Sequence, residues 1–321
     1  MILVTGGTGF IGGHLLEKLR SLGEPVRCLA RPKAAPRLLP AGVEAASGDL
    51  ATGEGLAEAL EGVDTAIHLA GVTKALRPAD YYAGNAGATE TLLRALGGRA
   101  IHLVHVSSLA AIGPSRDGAP VAEDAEPHPL TNYGRAKLEA ERMVRAAAPE
   151  AVIVRPPVVY GPRDTDVFQM LRSISRGWAL AIAGGERWFS AIYVADLVDG
   201  LIAAARSPQA RGRTYFLAHP KPVSWSELAA TAAGIMGRKA RVIEVPVPLA
   251  LAVGYGAEVW ARITGVPGIV SREKVAEARC ACWTCDTTRA ARELAYAAPT
   301  PLTSGLALTL AWYKEAGWLK Y

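Results

Sequence analysis

The sequence predicts an α/β protein in which a doubly wound parallel sheet is followed by a smaller C-terminal α/β lobe. Short apolar runs alternate with helical patterns through roughly the first half of the chain, and a glycine-rich turn directly follows the first run. The alternation breaks down after Gly161. Strands that alternate with helices form right-handed crossover units, which produce a parallel sheet covered by helices on both faces.

The elements of the first lobe can be placed in order from these patterns. Helices are expected over residues 10–22, in "GLAEALEGV", over residues 88–96 and in "YGRAKLEAERMVRAAA". The predicted strands are Ile2–Val4, "PVRCLAR", "GVEAASGD", "DTAIHLAG", "IHLVHVSS" and "AVIVRPPVVYG", the last taken as one sixth strand.

After Gly161 the segments become irregular, with breaks at Gly184–Gly185 and at several prolines. We therefore expect a dinucleotide-binding domain over residues 1–165, to which residues 190–215 return. Residues 166–189 and 216–321 are expected to form the substrate-binding lobe.

The composition excludes several classes of protein. The chain has 321 residues, 50% of them apolar, and a net charge of +5 that is not gathered into a basic stripe, so nucleic acid is not an expected partner. No signal peptide or transmembrane segment is expected, which favours a cytoplasmic enzyme. The four cysteines include the run "CACWTC", which offers three thiols and no fourth ligand, so no metal site is expected.

The glycine turn carries the first functional signal. Gly6, Gly9 and Gly12 follow a strand and open a helix, with Phe10 and Ile11 between the last two. Glycines there let a pyrophosphate approach the helix N-terminus, where N–H groups and the helix dipole favour an anion. A plain tight turn is the alternative, but the strand and helix around the turn favour a dinucleotide site.

The end of the second strand indicates which dinucleotide binds. An acidic residue there would bond the ribose hydroxyls, whereas "CLARPK" offers Arg31 and Lys33. A guanidinium matches a 2′-phosphate, so we expect NADP in preference to NAD. The alternative is a solvated basic loop.

A candidate catalytic pair lies further along the chain. Tyr133 and Lys137 are four residues apart in a helical stretch, which puts both side chains on one face. A phenol has a pKa of about 10, and a neighbouring ammonium would lower it, so that the tyrosine could exchange a proton with a carbinol. Ser107 and Ser108 lie about 25 residues upstream at the end of an apolar strand.

In combination these motifs resemble the extended short-chain dehydrogenase/reductases, the NAD-dependent epimerase/dehydratase group. "TGGTGFIG", "SGDL", "IHLAG", "VSSLAAIG", "YGRAK" and "RPPVVYGPRD" follow the order and spacing of that family over about the first 165 residues. The C-terminal half matches more loosely, through "YVADLVDGL" and "CDTTRAARELAY".

The resemblance implies a Rossmann-type fold, a homodimer built on helices near 88–96 and 133–147, and a role for individual residues. Tyr133 would be the acid/base, Lys137 would lower its pKa and hold the nicotinamide ribose, and Ser108 would be the catalytic hydroxyl. The remaining cofactor contacts would be Asp49 and Leu50 at the adenine, Ala70 and Gly71 along the channel, and Pro156 and Val158 near the nicotinamide.

Departures from the family pattern favour a dehydrogenase or reductase over a dehydratase. Val158 replaces a frequent asparagine, no acid ends the second strand, and Leu109 and Ala110 replace the acidic pair of sugar dehydratases. These differences point to the hydroxysteroid-dehydrogenase and dihydroflavonol-reductase side of the family. A reversible hydride transfer between a nicotinamide and a hydrophobic secondary alcohol or ketone, sterol-, flavonoid- or acyl-like, is therefore expected.

Two alternatives stay open. One is a nucleotide-sugar 4-epimerase with resident NAD, in which Arg163 or Arg187 would hold a pyrophosphate; the other is a non-catalytic dinucleotide sensor.

The C-terminal tryptophans allow two interpretations. They could line an apolar substrate cleft or form the core of the second lobe, and the segment Leu249–Trp260 could touch a membrane or gate a lipid-like substrate. The tryptophans are Trp178, Trp188, Trp225, Trp260 and Trp283.

Overall fold

The computed structural model describes residues 1–31, 39–268 and 270–321. Its strands are β1 (Ile2–Thr5), β2 (Val26–Ala30), β3 (Glu44–Ser47), β4 (Thr65–His68), β5 (His102–Val106), β6 (Val152–Val154), β7 (Val158–Tyr160), β8 (Trp178–Ile182), β9 (Trp188–Phe189), β10 (Ala191–Tyr193), β11 (Thr214–Tyr215), β12 (Val223–Ser224), β13 (Arg241–Val245) and β14 (Cys282–Trp283).

The α-helices are α1 (Phe10–Ser21), α2 (Leu56–Ala59), α3 (Pro78–Tyr82), α4 (Ala88–Leu96), α5 (Asn132–Ala147), α6 (Asp166–Ser175), α7 (Val194–Arg206), α8 (Trp225–Ile235), α9 (Val247–Thr264), α10 (Arg272–Arg279), α11 (Thr288–Glu293) and α12 (Leu302–Glu315). A π-helical turn, Ala83–Gly87, joins α3 to α4, and 3-10 turns cover Leu109–Ala111 and Pro208–Ala210.

A seven-stranded parallel sheet organises the first part of the described chain. Its order is β11-β6-β5-β4-β1-β2-β3, so the chain leaves β1 toward one edge and returns through β4 toward the other. The register places Val4 of β1 between Cys28 of β2 and Ile67 of β4. The predicted doubly wound Rossmann-type sheet is confirmed.

Both faces of this sheet are covered by helices, because its strands are apolar on both sides. On one face α1 and α7 contribute Leu15, Leu19 and Leu201 to a fully buried core. On the other face α2, α4 and α5 contribute Leu92 and Val144, among others. This three-layer arrangement leaves the carboxyl ends of the strands as the open edge of the lobe.

The predicted sixth strand is wrong as a single element. It divides into β6, in the main sheet, and β7, which pairs in parallel with β10. Residues 155–157 separate the two strands, and Pro156 and Pro157 have no N–H to donate to a ladder.

The later segments build a separate apolar core. Leu171 and Ile174 of α6, Ala232 of α8 and Leu306 and Leu310 of α12 are fully buried in it. A small sheet ordered β12-β9-β14 and a parallel pair of β8 with β13 accompany these helices. Within the described ranges, no helix is long and apolar enough to cross a membrane.

Helix α5 packs unusually closely on the turn after β5. A Cβ atom on Gly134 would lie 2.3 Å from the carbonyl oxygen of Ala110, a distance that neither backbone could accept. Thr131 caps this end of the helix by accepting a hydrogen bond from the Gly134 N–H at 3.1 Å. The absent side chain therefore sets the distance between α5 and the residues that follow β5.

We expect Gly134→Ala to lower the free energy of unfolding by about 2 kcal/mol, because the added methyl group would overpack this contact. The control is Gly234→Ala in α8, where nothing lies within 4 Å of the added atom. There alanine should stabilise the protein by about 0.5–1 kcal/mol. Urea denaturation measures both values, and equal stability of the two variants would contradict the packing argument.

Candidate active site

A deep cleft lies along the carboxyl ends of the strands, where β1 and β4 run side by side and the chain reverses direction across the sheet. Its volume is about 1940 Å³, and its lining includes Gly9, Ser108, Tyr133 and Trp188. That volume exceeds the roughly 300–1,000 Å³ of a typical small-molecule site. The cleft can therefore hold a dinucleotide together with a second, sizeable ligand.

The glycine turn forms one wall of this cleft. Gly6 has φ +72°, and a Cβ there would lie 2.8 Å from the carbonyl carbon of Leu69. A Cβ on Gly12 would lie 2.2 Å from the Gly6 carbonyl oxygen, so α1 can start this close to the turn only with glycine at both positions. Gly9 is the N-cap of α1, with no side-chain cap and no acid in the first turn.

These features fit the phosphates of a dinucleotide. The first helical residues, Phe10 and Ile11, line the cleft, and the start of α1 supplies backbone N–H groups and the positive end of the helix dipole. No acidic residue stands in the first turn to repel an anion. The cradle is therefore built from backbone, as anion sites at helix N-termini are.

The other predicted cofactor residues lie around the same cleft. The carboxylate of Asp49 accepts a hydrogen bond from the Ala51 N–H at 2.8 Å, and Arg31 is exposed at the end of β2. Lys33 lies outside the described residues. The cleft lining contains Gly6, Gly9, Phe10, Ile11, Gly12, Arg31, Asp49, Leu50, Ala70, Gly71, Pro156 and Val158.

The structure brings the predicted catalytic side chains together. Ser108 follows β5, Tyr133 lies in the first turn of α5, and Lys137 lies one turn further on; all three line the cleft. Burial raises the pKa of the Tyr133 phenol above its usual value, while its hydrogen bond with Ser108 and the charge of Lys274 act to lower it. The phenol is therefore protonated at neutral pH and can act as a proton donor.

Lys137 differs from the expectation in what it contacts. Its Nζ donates a hydrogen bond to the Val106 carbonyl oxygen at 2.6 Å, and the cation that acts on the Tyr133 pKa in this structure is Lys274. Burial lowers the pKa of Lys137 itself to about 8, while Glu141 acts to raise it. The predicted roles of Lys137, in lowering the pKa of Tyr133 and in holding the nicotinamide ribose, stay predictions.

Three residues of α10 at this site were missed from the sequence. The Glu273 carboxylate accepts from Nδ2 of Asn132 at 2.6 Å, and Lys274 Nζ donates to Glu277 at 2.6 Å. Glu273, Lys274 and Glu277 also line the cleft. They follow Tyr133 by about 140 residues, and the charged segment "SREKVAEAR" contains no motif that would link it to the catalytic helix.

The tryptophans divide between the two interpretations. Trp188, Trp225 and Trp283 line the cleft, so they give it an aromatic wall. Trp178 and Trp260 are exposed and are absent from that lining.

The arginines considered for a pyrophosphate are engaged elsewhere. The two terminal nitrogens of Arg163 donate to the Glu17 carboxylate at 2.7 and 2.8 Å, and Arg163 is not among the cleft residues. Arg187 lines the cleft, but its guanidinium donates to the carbonyl oxygens of Gly185 and Ala278, at 2.7 and 3.1 Å.

Replacing Lys137 should stabilise the protein, because burial of its charge destabilises the folded state. The fall in its pKa from 10.5 to about 8 corresponds to roughly 3 kcal/mol at neutral pH, since each unit corresponds to about 1.4 kcal/mol. The variant also loses the hydrogen bond to the Val106 carbonyl, which reduces this gain in stability by about 1 kcal/mol. Lys137→Met should therefore raise the free energy of unfolding at pH 7 by about 2 kcal/mol, measured by urea denaturation.

The sign of the pH dependence follows from linkage. In the wild type the unfolded chain binds more protons at Lys137 between pH 8 and 10.5, so this group adds stability as pH rises through that window. The difference in the free energy of unfolding between Lys137→Met and the wild type should therefore shrink as pH rises from 8 to 10.5. Burial keeps the pKa values of His68 and His105, which face Lys137, far below this window. A stability gain of Lys137→Met that stays constant to pH 10 would contradict the lowered pKa of Lys137. So would a gain equal to that of the exposed control Lys239→Met.

Comparisons with known proteins identify the family. Residues 2–218 match the family described as NAD dependent epimerase/dehydratase family. The chain is similar to a ceramide reductase of Caulobacter vibrioides (strain NA1000 / CB15N), 31% identical over 322 residues, covering 99% of this chain and 96% of that protein.

It is also similar to the 4-hydroxy-2-methyl-3-oxo-4-farnesyl-3,4-dihydroquinoline-1-oxide ketoreductase of Stigmatella aurantiaca. The two are 32% identical over 323 residues, covering 94% of this chain and 93% of that protein. Among solved structures, MoeE5 in complex with UDP-glucose and NAD superposes with a TM-score of 0.78 and 26% identity, covering 98% of this chain and 99% of that chain. The protein therefore belongs to the NAD dependent epimerase/dehydratase family of extended short-chain dehydrogenase/reductases, and it is an oxidoreductase of that family.

Proposed function

We propose that this protein is an NADP-preferring reductase that converts a hydrophobic ketone into a secondary alcohol. The observation that carries the proposal is the meeting of the Ser108 hydroxyl and the protonated Tyr133 phenol at the junction of two regions of the cleft. The glycine turn lies on one side of them and an apolar, aromatic wall on the other. As part of the proposal, residues 1–165 with 190–215 bind the dinucleotide, and 166–189 with 216–321 bind the substrate.

In this reaction Ser108, Tyr133 and Lys137 have different roles. A dinucleotide with its phosphates at the glycine turn would have its nicotinamide near Pro156 and Val158 and would supply the hydride from that ring. Ser108 donates a hydrogen bond to the carbonyl oxygen, and Tyr133 gives its phenolic proton to the same oxygen as negative charge develops there. The tyrosine recovers a proton from solvent, and Lys137 holds the ribose of the nicotinamide. Burial raises the pKa of Tyr133 and so keeps the phenol protonated at neutral pH, which is the form that donates a proton during reduction.

The substrate side supports a hydrophobic molecule. Ile182, Trp188, Phe189, Trp225 and Leu249 contribute apolar surface to the cleft. The printed names of the two relatives describe a ceramide reductase and a ketoreductase of a farnesylated quinoline oxide. Both names combine carbonyl reduction with a molecule that has a long apolar part, and we extend that substrate class to this chain.

Support for NADP comes from the end of β2. Arg31 is exposed at the cleft, directly after a strand whose final residues include no carboxylate. A guanidinium there matches the geometry and charge of a 2′-phosphate.

A nucleotide-sugar 4-epimerase with resident NAD is the second candidate. MoeE5, which holds UDP-glucose and NAD, shares the fold at 26% identity. The contacts of Arg163 with Glu17, and of Arg187 with backbone carbonyls, favour the reductase, because a pyrophosphate needs available cations.

The proposal extends to location and assembly. The four cysteines are free thiols, which suits the reducing cytoplasm. A homodimer through α4 and α5 would follow the family pattern.

Tyr133→Phe should lower kcat for the NADPH-dependent reduction of long-chain and polycyclic ketones by about 10²- to 10⁴-fold, the usual contribution of a positioned proton donor. The affinity for NADPH should stay nearly unchanged, because the lost hydroxyl faces the substrate oxygen. Tyr82→Phe, the same change at an exposed tyrosine outside the cleft lining, is the control and should keep full activity. Reduction that survives in Tyr133→Phe would overturn the mechanism.

Arg31→Ala should weaken NADPH binding by about 10- to 100-fold, because a charge-assisted bond to phosphate contributes roughly 1.5–3 kcal/mol. Binding of NADH should be unaffected, since NADH has no 2′-phosphate. Fluorescence titration with both dinucleotides measures the change, with Arg116→Ala as an exposed control outside the cleft lining. An equal loss for NADH and NADPH would contradict the role of Arg31.

A further inference from the structure

Helix α9 is apolar around nearly its whole circumference, yet one side of it is exposed. Its 18 residues include only two charged ones, Glu258 and Arg262. Leu249, Val253, Trp260 and Ile263 recur at helical spacing along one stripe, here named the α9 outer face. These side chains are 54–73% exposed. A helix that is apolar all round is normally buried in protein or in lipid.

The opposite side of α9 is attached to the protein. Ala250, Gly254 and Ala261 are buried there. A Cβ on Gly254 would lie 3.0 Å from the backbone nitrogen of Arg272, so α9 packs closely on the start of α10. The helix therefore lies along the surface of the protein and directs its outer face away from it.

The outer face is continuous with the mouth of the catalytic cleft. Leu249 and Val253 belong both to this face and to the cleft lining. Two further apolar residues of that lining, Leu180 of β8 and Val270, are also exposed. A protein partner or a second copy of the chain seated on this face would cover the entrance. A lipid surface would instead place apolar molecules at that entrance.

The charges in the segment that contains α9 are mostly positive. Between residues 238 and 266 there are four basic and two acidic side chains, and one of the acids, Glu258, is paired with Arg272 at 2.8 Å. An excess of basic residues in and beside an apolar helix is typical of helices that bind at the surface of anionic membranes. The basic residues are Arg238, Lys239, Arg241 and Arg262.

We propose that the α9 outer face docks this protein on the surface of an anionic lipid bilayer, so that a hydrophobic substrate passes from the bilayer directly into the cleft. The choice of substrate rests on the proposed function, whereas the docking rests on the exposure of α9 and the charges around it. Trp260 and Ile263 enter the interfacial layer, while Leu249 and Val253 border the entrance.

Sedimentation with vesicles tests the docking directly. The full chain should sediment with vesicles of phosphatidylcholine and phosphatidylglycerol, and less with phosphatidylcholine alone. Ile263→Glu and Trp260→Glu should each lower the partition coefficient by about tenfold or more. Each variant loses a large apolar side chain that would enter the bilayer, and each gains a charge that the anionic surface repels. The control is Leu308→Glu in α12. Leu308 is an apolar residue that is 54% exposed and lies outside the cleft lining, so this variant should bind vesicles like the wild type.

Two further readouts separate this inference from the proposed function. Reduction of a water-soluble ketone should be the same in Ile263→Glu and in the wild type, whereas reduction of a long-chain ketone embedded in vesicles should fall. Absence of wild-type sedimentation, or equal sedimentation of all variants, would overturn the docking and leave the reductase proposal intact. Sedimentation of the wild type with vesicles, without reduction of any ketone, would support the docking and overturn the reductase proposal. A dimer that dissociates in Ile263→Glu, with no vesicle binding, would identify the face as a contact between copies of the chain and overturn the proposal.

Discussion

The close contact between Gly134 of α5 and the Ala110 carbonyl oxygen is the constraint on which the candidate active site depends. Ser108 belongs to the segment after β5 and Tyr133 to the first turn of α5, so the separation of these two backbones sets the separation of the hydroxyl and the phenol. A second contact fixes the other end of the helix. Glu141 pairs with Arg155 through two hydrogen bonds of 2.9 and 2.6 Å, both side chains being buried. Because Arg155 directly follows β6, α5 is held against two neighbouring strands of the sheet.

Burial decides the protonation of the catalytic groups more than any single charge does. It raises the pKa of Tyr133 and lowers that of Lys137, so both groups are shifted toward their neutral forms. For Tyr133 the neutral form is the proton donor, which is the state that ketone reduction requires. Helix α10 adds Lys274 and Glu277 with opposite effects on the tyrosine, and Glu273 ties that helix to Asn132 beside it. A helix from the later part of the chain thus takes part in the electrostatics of Tyr133.

The sequence predicted what depends on local pattern and failed where distant segments meet. The parallel sheet follows from strands that alternate with helices, and the glycine turn from a spacing that allows α1 to start at the Gly6 carbonyl. The break at Pro156–Pro157 was visible in the sequence, but the two apolar runs around it were merged into one strand. The α10 residues could not be found, because only the tertiary fold brings Glu273 next to Asn132. The tryptophans show the same limit, since Trp188 and Trp260 look alike in sequence, yet Trp188 lines the cleft and Trp260 lies outside its lining. The roles of the site residues and the division into two lobes stay predictions.

The central claim is that the dinucleotide exchanges with solvent at every turnover, which distinguishes a reductase from an epimerase that recycles resident NAD. The most direct measurement is to denature the purified protein and quantify by chromatography whatever dinucleotide it releases, alongside the melting shifts that NADPH and NADH produce in the native protein. The account predicts far less than one equivalent of released dinucleotide and a larger stabilisation by NADPH. Release of nearly one equivalent of NAD per chain, with no added stabilisation by NADPH, would contradict it.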